Sequence, residues 1–328
     1  MTAPLIWVLA DERRGTANQA LGVAEALGLA FEVKEIAHAP LSRLPNTLLG
    51  ASLRGMTGQS AAQLTPPWPD LVIAAGRRAG APARWIKRQN AGRTVLVQIM
   101  YPGNSGAGEF DLIAVPRHDA KTGANLFQMV GAPHGVTEAA RIVARADWED
   151  RFAAFAHPIV GLVLGGATRR RPFPLEEAHR LGRDAGRAML GLGGSLVVTS
   201  SPRTGAALDG ALAGIAEAGV APALVHRWGG GGDNPYLAFL ALADALIVTG
   251  DSVSMLSEAC SGTQPVYLYA PPGFVTAKHA RLHSDLIASG YVRHFEGRID
   301  PWSHPALNSA RDVAAEIGRR FESIFRED

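Results

Sequence analysis

The sequence predicts an α/β protein of two Rossmann-like, doubly wound domains facing a cleft. Three observations predict it. Short, continuous apolar runs such as LIWVLA, DLVIAAG, SLVVTSS and ALIVT recur along the chain, and runs without polar alternation mark parallel strands covered on both faces. Helical patterns separate these runs, as βα-repeats require. The alternation restarts at HPIVGLVLGG, near residue 157, and 328 residues suffice for two domains at roughly 100–200 residues each.

In the first domain, LIWVLA is followed by a helix from about Thr16 to Leu27 and then by FEVKEI. The stretch 39–69 holds proline and glycine with few strand signals and reads as short helices and loop. DLVIAAG, a helix from Gly80 to Gln89, TVLVQIM, DLIAVP and LFQMVG complete this half. A polar helical stretch, Val136–Ala156, leads to the boundary. In the second domain HPIVGLVLGG precedes a helix from Pro174 to Gly191, SLVVTSS, a helix from Gly205 to Ala218, PALVH, a helix over Pro235–Ala243, ALIVT, a helix from Val253 to Ser261, and PVYLY. Asn234-Pro235 reads as a cap followed by a first-turn proline, and the GGGGD loop at 229–233 reads as flexible or as a cover for a flat ring. A last helix, Asn308–Phe325, packs on either domain. The expected division is 1–157, 158–306 and a closing helix at 307–328.

Composition excludes several classes. With 47% hydrophobic and 19% charged residues the chain is not disordered. A net charge of +2 argues against a nucleic-acid partner held by phosphate neutralisation. The single cysteine, Cys260, excludes an internal disulfide and a cysteine zinc site, fits a reducing compartment, and reads as core. No apolar run approaches the ~20 residues that span a bilayer. The N-terminal segment reads as a buried strand rather than a signal peptide. The expectation is a cytoplasmic protein, with peripheral contact at the inner face of a membrane left open. Heavy use of Ala, Gly and Arg points weakly to a bacterial source.

In open parallel sheets ligands sit beyond the carboxyl ends of the strands, so the residues after each apolar run carry the functional signal. After the first strand, Asp11 is the candidate acid. Gly15 reads as a tight turn, Thr16 as a helix cap, and Asn18 and Gln19 as acceptor-side groups; a plain βα turn is the alternative. After LVLGG, the glycines Gly165 and Gly166 with Thr168, Arg169, Arg170 and Arg171 offer the amides and cations a diphosphate needs; a surface charge run is the alternative. After SLVVT come Ser200, Ser201, Arg203 and Thr204. The serines and the threonine suit capping, whereas Arg203 is less readily explained by it.

The stretch GDSVSMLSEA places Asp251 and Ser252 where helix caps belong and Ser254 and Ser257 toward solvent. Glu258 lies too far along the helix to cap it. A carboxylate accepting from the vicinal hydroxyls of a ribose is one way to hold a nucleotide; a surface glutamate is the alternative. Weaker candidates are His118 with Asp119 after a first-domain strand, and Lys278 with the His279/His283 pair, which lacks a third metal ligand. No GxSxG, Walker A or clean GxGxxG motif occurs, which argues against a nicotinamide enzyme.

Together LADERRGTANQALGVAEALG, PDLVIAAGRRAG, FDLIAVPRHD, LGGATRRRPF, VTSSPRTG, NPYLAFLALADALIVTGDSVSMLSEA and KHARLHSDL resemble the mitochondrial-fission "elongated mitochondria" family, from about residue 5 to 325. Bacterial members are described as GT-B glycosyltransferases. The resemblance implies a GT-B-like fold with a nucleotide-sugar donor on the second domain, its ribose on Glu258, its phosphates beside Gly165-Gly166, and Ser252, Ser254 and Met255 among the donor contacts. It implies sugar transfer to an acceptor hydroxyl, lipid-linked or otherwise, in envelope glycan or glycolipid synthesis. Asp251 and Glu258 have six residues between them, where retaining members of the fold separate two glutamates by seven, which favours inversion. Neither metal nor cofactor is expected. Asp11 is the first candidate base and His118 the second. A non-catalytic adaptor, as in plant relatives, and a nucleotide-sugar epimerase are the alternatives.

Overall fold

The computed structural model describes residues 3–168 and 171–325. Two compact units divide the chain, one comprising Met1–Gly135 and Asn308–Asp328, the other Val136–Leu307.

The first unit is a six-stranded parallel sheet in the order β2-β1-β3-β4-β5-β6. Its strands are β1 (Ile6–Asp11), β2 (Glu32–Ile36), β3 (Leu71–Ala75), β4 (Val95–Ile99), β5 (Leu112–Pro116) and β6 (Leu126–Met129). β1 and β3 are buried at every position, which explains their unbroken apolar sequences. β2 lies at the edge and carries Glu32, Lys34 and Glu35, charges that discourage edge-to-edge pairing. The helices before β4 are α1 (Arg14–Leu27), α2 (Asn46–Leu49), α3 (Gly58–Ala61) and α4 (Gly76–Gln89). α2, α3 and a 3-10 turn at Pro40–Arg43 occupy the stretch read as short helices and loop. α1 starts two residues earlier than the sequence reading, so Gly15 lies in the helix with open space around it rather than in a tight turn. The helix ends at Gly28, whose φ of 70° is the left-handed stop that glycine adopts at no steric cost. α4 likewise starts earlier, directly from β3.

The second unit is also a six-stranded parallel sheet, ordered β12-β11-β10-β7-β8-β9. Its strands are β7 (Ile159–Leu164), β8 (Ser195–Ser200), β9 (Leu224–His226), β10 (Ala245–Thr249), β11 (Val266–Tyr269) and β12 (Arg293–His294). Numbered within the unit this is the Rossmann order, and its topological switch point lies between β7 and β10. Its helices are α5 (Glu138–Phe152), α6 (Leu175–Leu192), α7 (Ala207–Glu217), α8 (Tyr236–Leu242), α9 (Val253–Ala259) and α10 (Ala277–Ala288). The core combines Leu162, Leu164, Leu181, Leu196, Leu208 and Ile247, all at most 1% exposed; each such side chain contributes about 1.5–3 kcal/mol on burial. α6 and α7 approach through small residues: a Cβ on Gly182 would strike the Ala211 backbone and one on Gly214 that of His179.

The division falls near residue 135 rather than 157. α5 belongs to the second unit, where Phe152 meets Phe239 at 6.0 Å between ring centroids and Arg141 donates to the Ser261 carbonyl. The chain then returns: α11 (Ser309–Arg320) buries Ala310, Val313 and Ile317 in the first unit's core with Ala20, Val23 and Ala24 of α1, and α12 (Glu322–Phe325) follows. No helix among the described residues is long and apolar enough to cross a membrane.

Candidate functional site

The carboxyl ends of β7 and β10 carry LGG and TGDS. Sheet order makes these neighbours at the switch point. Asp251, 2% exposed, turns toward the β7 turn instead of capping α9. Its carboxylate accepts from Gly166 N–H at 2.8 Å, Thr249 Oγ1 at 2.7 Å and Arg203 Nη2 at 3.1 Å. Thr249 Oγ1 also accepts from Gly165 N–H at 2.7 Å. The close approach that the two glycines permit is therefore intramolecular: a Cβ on Gly165 would collide with the Asp251 carboxylate, and one on Gly166 with the Arg203 backbone. Thr168 forms a turn with Arg171, whose N–H donates to its Oγ1 at 3.1 Å. Arg169 and Arg170 lie outside the described residues. Capping of α9 falls to Ser252, which accepts from Met255 N–H at 3.4 Å; Ser254 is half-buried beside it, and Ser257, read as solvent-facing, is fully buried.

One helical turn and a half beyond Ser252, Glu258 lines a cavity of about 150 Å³ with Ser200, Ser201, Trp228, Tyr236 and Met255. β8 supplies Ser200, α9 supplies Met255 and Glu258, and α8 supplies Tyr236. Ser200 Oγ accepts from Trp228 N–H at 2.9 Å, while the Trp228 side chain stays half-exposed. Tyr236 Oη donates to Glu258 Oε2 at 2.6 Å. Burial pushes the Glu258 carboxyl above its ordinary value, and the Tyr236 hydroxyl pulls part of that back. The Tyr236 phenol is itself pushed up by burial and by Glu258, and so keeps its proton. On α10, His283 donates to the Gly250 carbonyl at 2.8 Å, a buried structural role. Burial lowers the pKa of His279, which also feels Asp251, Lys278 and Arg203.

In the first unit the switch point lies between β1 and β3. Asp11, 6% exposed, accepts from Arg13 N–H at 2.9 Å, His38 Nε2 at 3.2 Å and Arg78 Nη2 at 3.5 Å. Burial lowers the His38 pKa below its ordinary 6.5 despite Asp11. Thr16 is half-buried inside α1 and caps nothing; the helix has no side-chain cap. Asn18 is exposed, and the buried Gln19 Oε1 has no hydrogen-bond partner among the described residues. His118 is buried in a 3-10 turn after β5. β5 lies three strands from β1, roughly 14 Å at the usual strand spacing, so His118 does not join the Asp11 cluster.

The structure brings together Gly165, Gly166, Thr249, Arg203 and Asp251, and separately Ser200, Met255 and Glu258. Sequence reading missed His38, Arg78, Trp228 and Tyr236. The Asn234-Pro235 helix start gave a local signal for Tyr236, the first residue of α8; nothing in sequence linked it to Glu258. Among the described residues no group of three or more His, Cys, Asp or Glu is placed to hold a metal ion.

The model of the family described as Mitochondrial fission ELM1 matches residues 14–321. The chain belongs to this family. A curated ELM1-family relative, the mitochondrial fission protein ELM1 of Arabidopsis thaliana, is 31% identical over 299 residues, covering 83% of this chain and 69% of the relative. An uncharacterized protein of Rickettsia prowazekii (strain Madrid E) is 26% identical and covers 95% of this chain and 97% of its own. Among solved structures, the UDP-GlcNAc 2-epimerase of Methanocaldococcus jannaschii matches with a TM-score of 0.52 at 10% identity, covering 96% of this chain and 99% of that one. The UDP-GlcNAc 2-epimerase of Neisseria meningitidis bound to UDP-GlcNAc matches at 0.50 with 11% identity, covering 98% and 93%. At such identities the likeness is one of fold: this ELM1-family chain has the two Rossmann-like domains of those proteins.

Proposed function

We propose that this ELM1-family chain binds a nucleotide sugar on its second unit and transfers the sugar to an acceptor hydroxyl, without a metal. The observation that carries the reading is Glu258: a carboxylate raised in pKa by burial, with a neutral phenol as its partner, in a cavity that Trp228 also lines. A ribose diol supplies the two donors such a carboxylate lacks, and an indole face suits a nucleobase. Arg203, the Thr168–Arg171 turn and, with them, Arg169 and Arg170 are assigned to the phosphates, where cations stabilise the charge that develops on the leaving diphosphate. Two proteins that share the fold are UDP-GlcNAc 2-epimerases, one of them bound to UDP-GlcNAc, which supports the ligand class.

Displacement at the anomeric carbon needs a group to take the acceptor proton. This role is assigned to the Asp11–His38 pair. With its proton on Nε2, facing Asp11, the imidazole keeps Nδ1 as an acceptor, and a lowered pKa keeps the ring neutral. Asp11 then orients the base rather than acting as one.

Calorimetric titration with UDP-, GDP-, ADP- and CMP-linked sugars, followed by product analysis with and without acceptor, tests the proposal. Release of the leaving nucleotide (UDP, GDP or ADP, or CMP from the CMP-linked sugar) only when acceptor is present is the expected result; an epimer formed from donor alone makes the chain an epimerase. A second reading, a binding protein that holds a nucleotide without consuming it, draws on Asp251, which already occupies the Gly166 amide and Arg203. Tight binding with no turnover under any acceptor supports that reading.

A further inference from the structure

The Glu258 cavity has an unusual charge balance. Among the described residues lining it, Thr199, Ser200, Ser201, Pro202, Trp228, Asn234 and Met255 carry no charge, and Tyr236 is the only titratable group besides Glu258. A carboxylate withdrawn from water without a cation depends on hydrogen-bond donors to remain ionised. Tyr236 supplies one, to Oε2, at 2.6 Å. Its own position is fixed at the start of α8, where its N–H donates to Asn234 Oδ1 at 3.1 Å and the buried Pro235 precedes it. The phenol thus holds one carboxylate oxygen as a clamp, while Oε1 takes no hydrogen bond among the described residues.

We infer that Tyr236 is the positioning residue for Glu258, holding one carboxylate oxygen so that the other meets the 2′-hydroxyl of a ribonucleotide, and that the pair makes the pocket prefer ribonucleotides to 2′-deoxyribonucleotides. The inference rests on the nucleotide reading above and goes beyond it. A ribose supplies two vicinal donors to the pair and a deoxyribose one, and a hydrogen bond to a charged acceptor is lost with the missing hydroxyl. A loose carboxylate would turn to recover the 3′-hydroxyl alone; the clamp prevents that turn.

The clamp also sets the pH range. The diol binds the charged carboxylate. Affinity therefore falls as pH drops through the Glu258 pKa, which burial raises and Tyr236 lowers. Removing the hydroxyl removes the lowering influence, so in Tyr236→Phe the fall moves to higher pH. Tyr236 stays protonated throughout and contributes no titration of its own in this range.

The test is calorimetric titration of the full chain with UDP, GDP, ADP and CDP, and with the 2′-deoxy form of whichever binds, between pH 5 and 8. The proteins are the wild type, Tyr236→Phe, Glu258→Gln and the double variant. The wild type should prefer the ribonucleotide by about tenfold, the worth of one such hydrogen bond. Tyr236→Phe should lose most of that ratio and shift the pH fall upward. Adding it to Glu258→Gln should change nothing further, because the two residues act as a unit. Both readouts are comparisons within one variant, so a smaller folded fraction does not imitate them. If Glu258→Gln weakens binding while Tyr236→Phe leaves ratio and pH profile intact, the positioning role is overturned and the pocket reading survives. If none of the four diphosphates binds, or Glu258→Gln binds as the wild type does, the nucleotide reading itself fails and the inference with it.

Discussion

Asp251 and Glu258 lie one short helix apart, and their surroundings are opposite. Asp251 is compensated: a guanidinium, a backbone amide and a threonine hydroxyl converge on it. Glu258 meets a neutral phenol and a cavity. Asp11 on the other unit resembles Asp251, with Arg78, His38 and a backbone amide around it. The contrast separates two uses of a buried carboxylate at a sheet rim. One with its charge and lone pairs satisfied holds a turn or orients a partner; one left short of donors is costly to keep and is suited to receive them from a ligand.

The strongest way to break this contrast is Asp251→Ala. It leaves the Gly166 amide and the Thr249 hydroxyl without an acceptor, at about 1–3 kcal/mol each, so chemical denaturation should show a loss of about 2–5 kcal/mol. Arg203 adds little because its side chain is 43% exposed. A loss under about 1 kcal/mol would remove Asp251 from the structural class. Glu258→Ala should do the reverse: nucleotide affinity should drop about 10–100-fold in calorimetry, with a smaller effect on stability. Unchanged affinity would dissolve the distinction.

A pH experiment sharpens the Asp11 side. The folded-state pKa of His38 is lowered from 6.5, so its contribution to stability is complete above that value and is lost as pH falls below it. The slope is at most about 1.4 kcal/mol per pH unit. His38→Gln should flatten the stability–pH curve below pH 6.5; an unchanged curve would show that burial does not lower the pKa of the imidazole. The smallest effect belongs to Glu258→Gln. A raised carboxyl pKa costs stability above it, so the neutral amide should leave the stability unchanged or raise it slightly, by under about 1 kcal/mol, while binding weakens. A clear drop in melting temperature would place Glu258 with Asp251.

The two βα-repeat units and the Gly-rich strand ends were legible in sequence because continuous apolar runs have one economical explanation, strands covered on both faces. The unit boundary was not, because α5 looks the same wherever it packs; Phe152 against Phe239 decided it. The start of α1 was misread because Thr16 suits a cap, yet the helix begins at Arg14 with no side-chain cap. Glu258 could be singled out by its distance from the helix start. Its partner Tyr236, 22 residues earlier, could not, since only the fold brings the first residue of α8 within hydrogen-bond distance of α9.

Residue order alone determined which segments are buried strands and which strand ends carry acids, cations and glycines, since burial and backbone freedom are local properties of the side chain. Tertiary structure alone decided what each of those groups faces. Asp251 became a brace and Glu258 an open acceptor because hydrogen bonds and desolvation act over a few ångströms in space, and neighbours at that range are assigned by the fold.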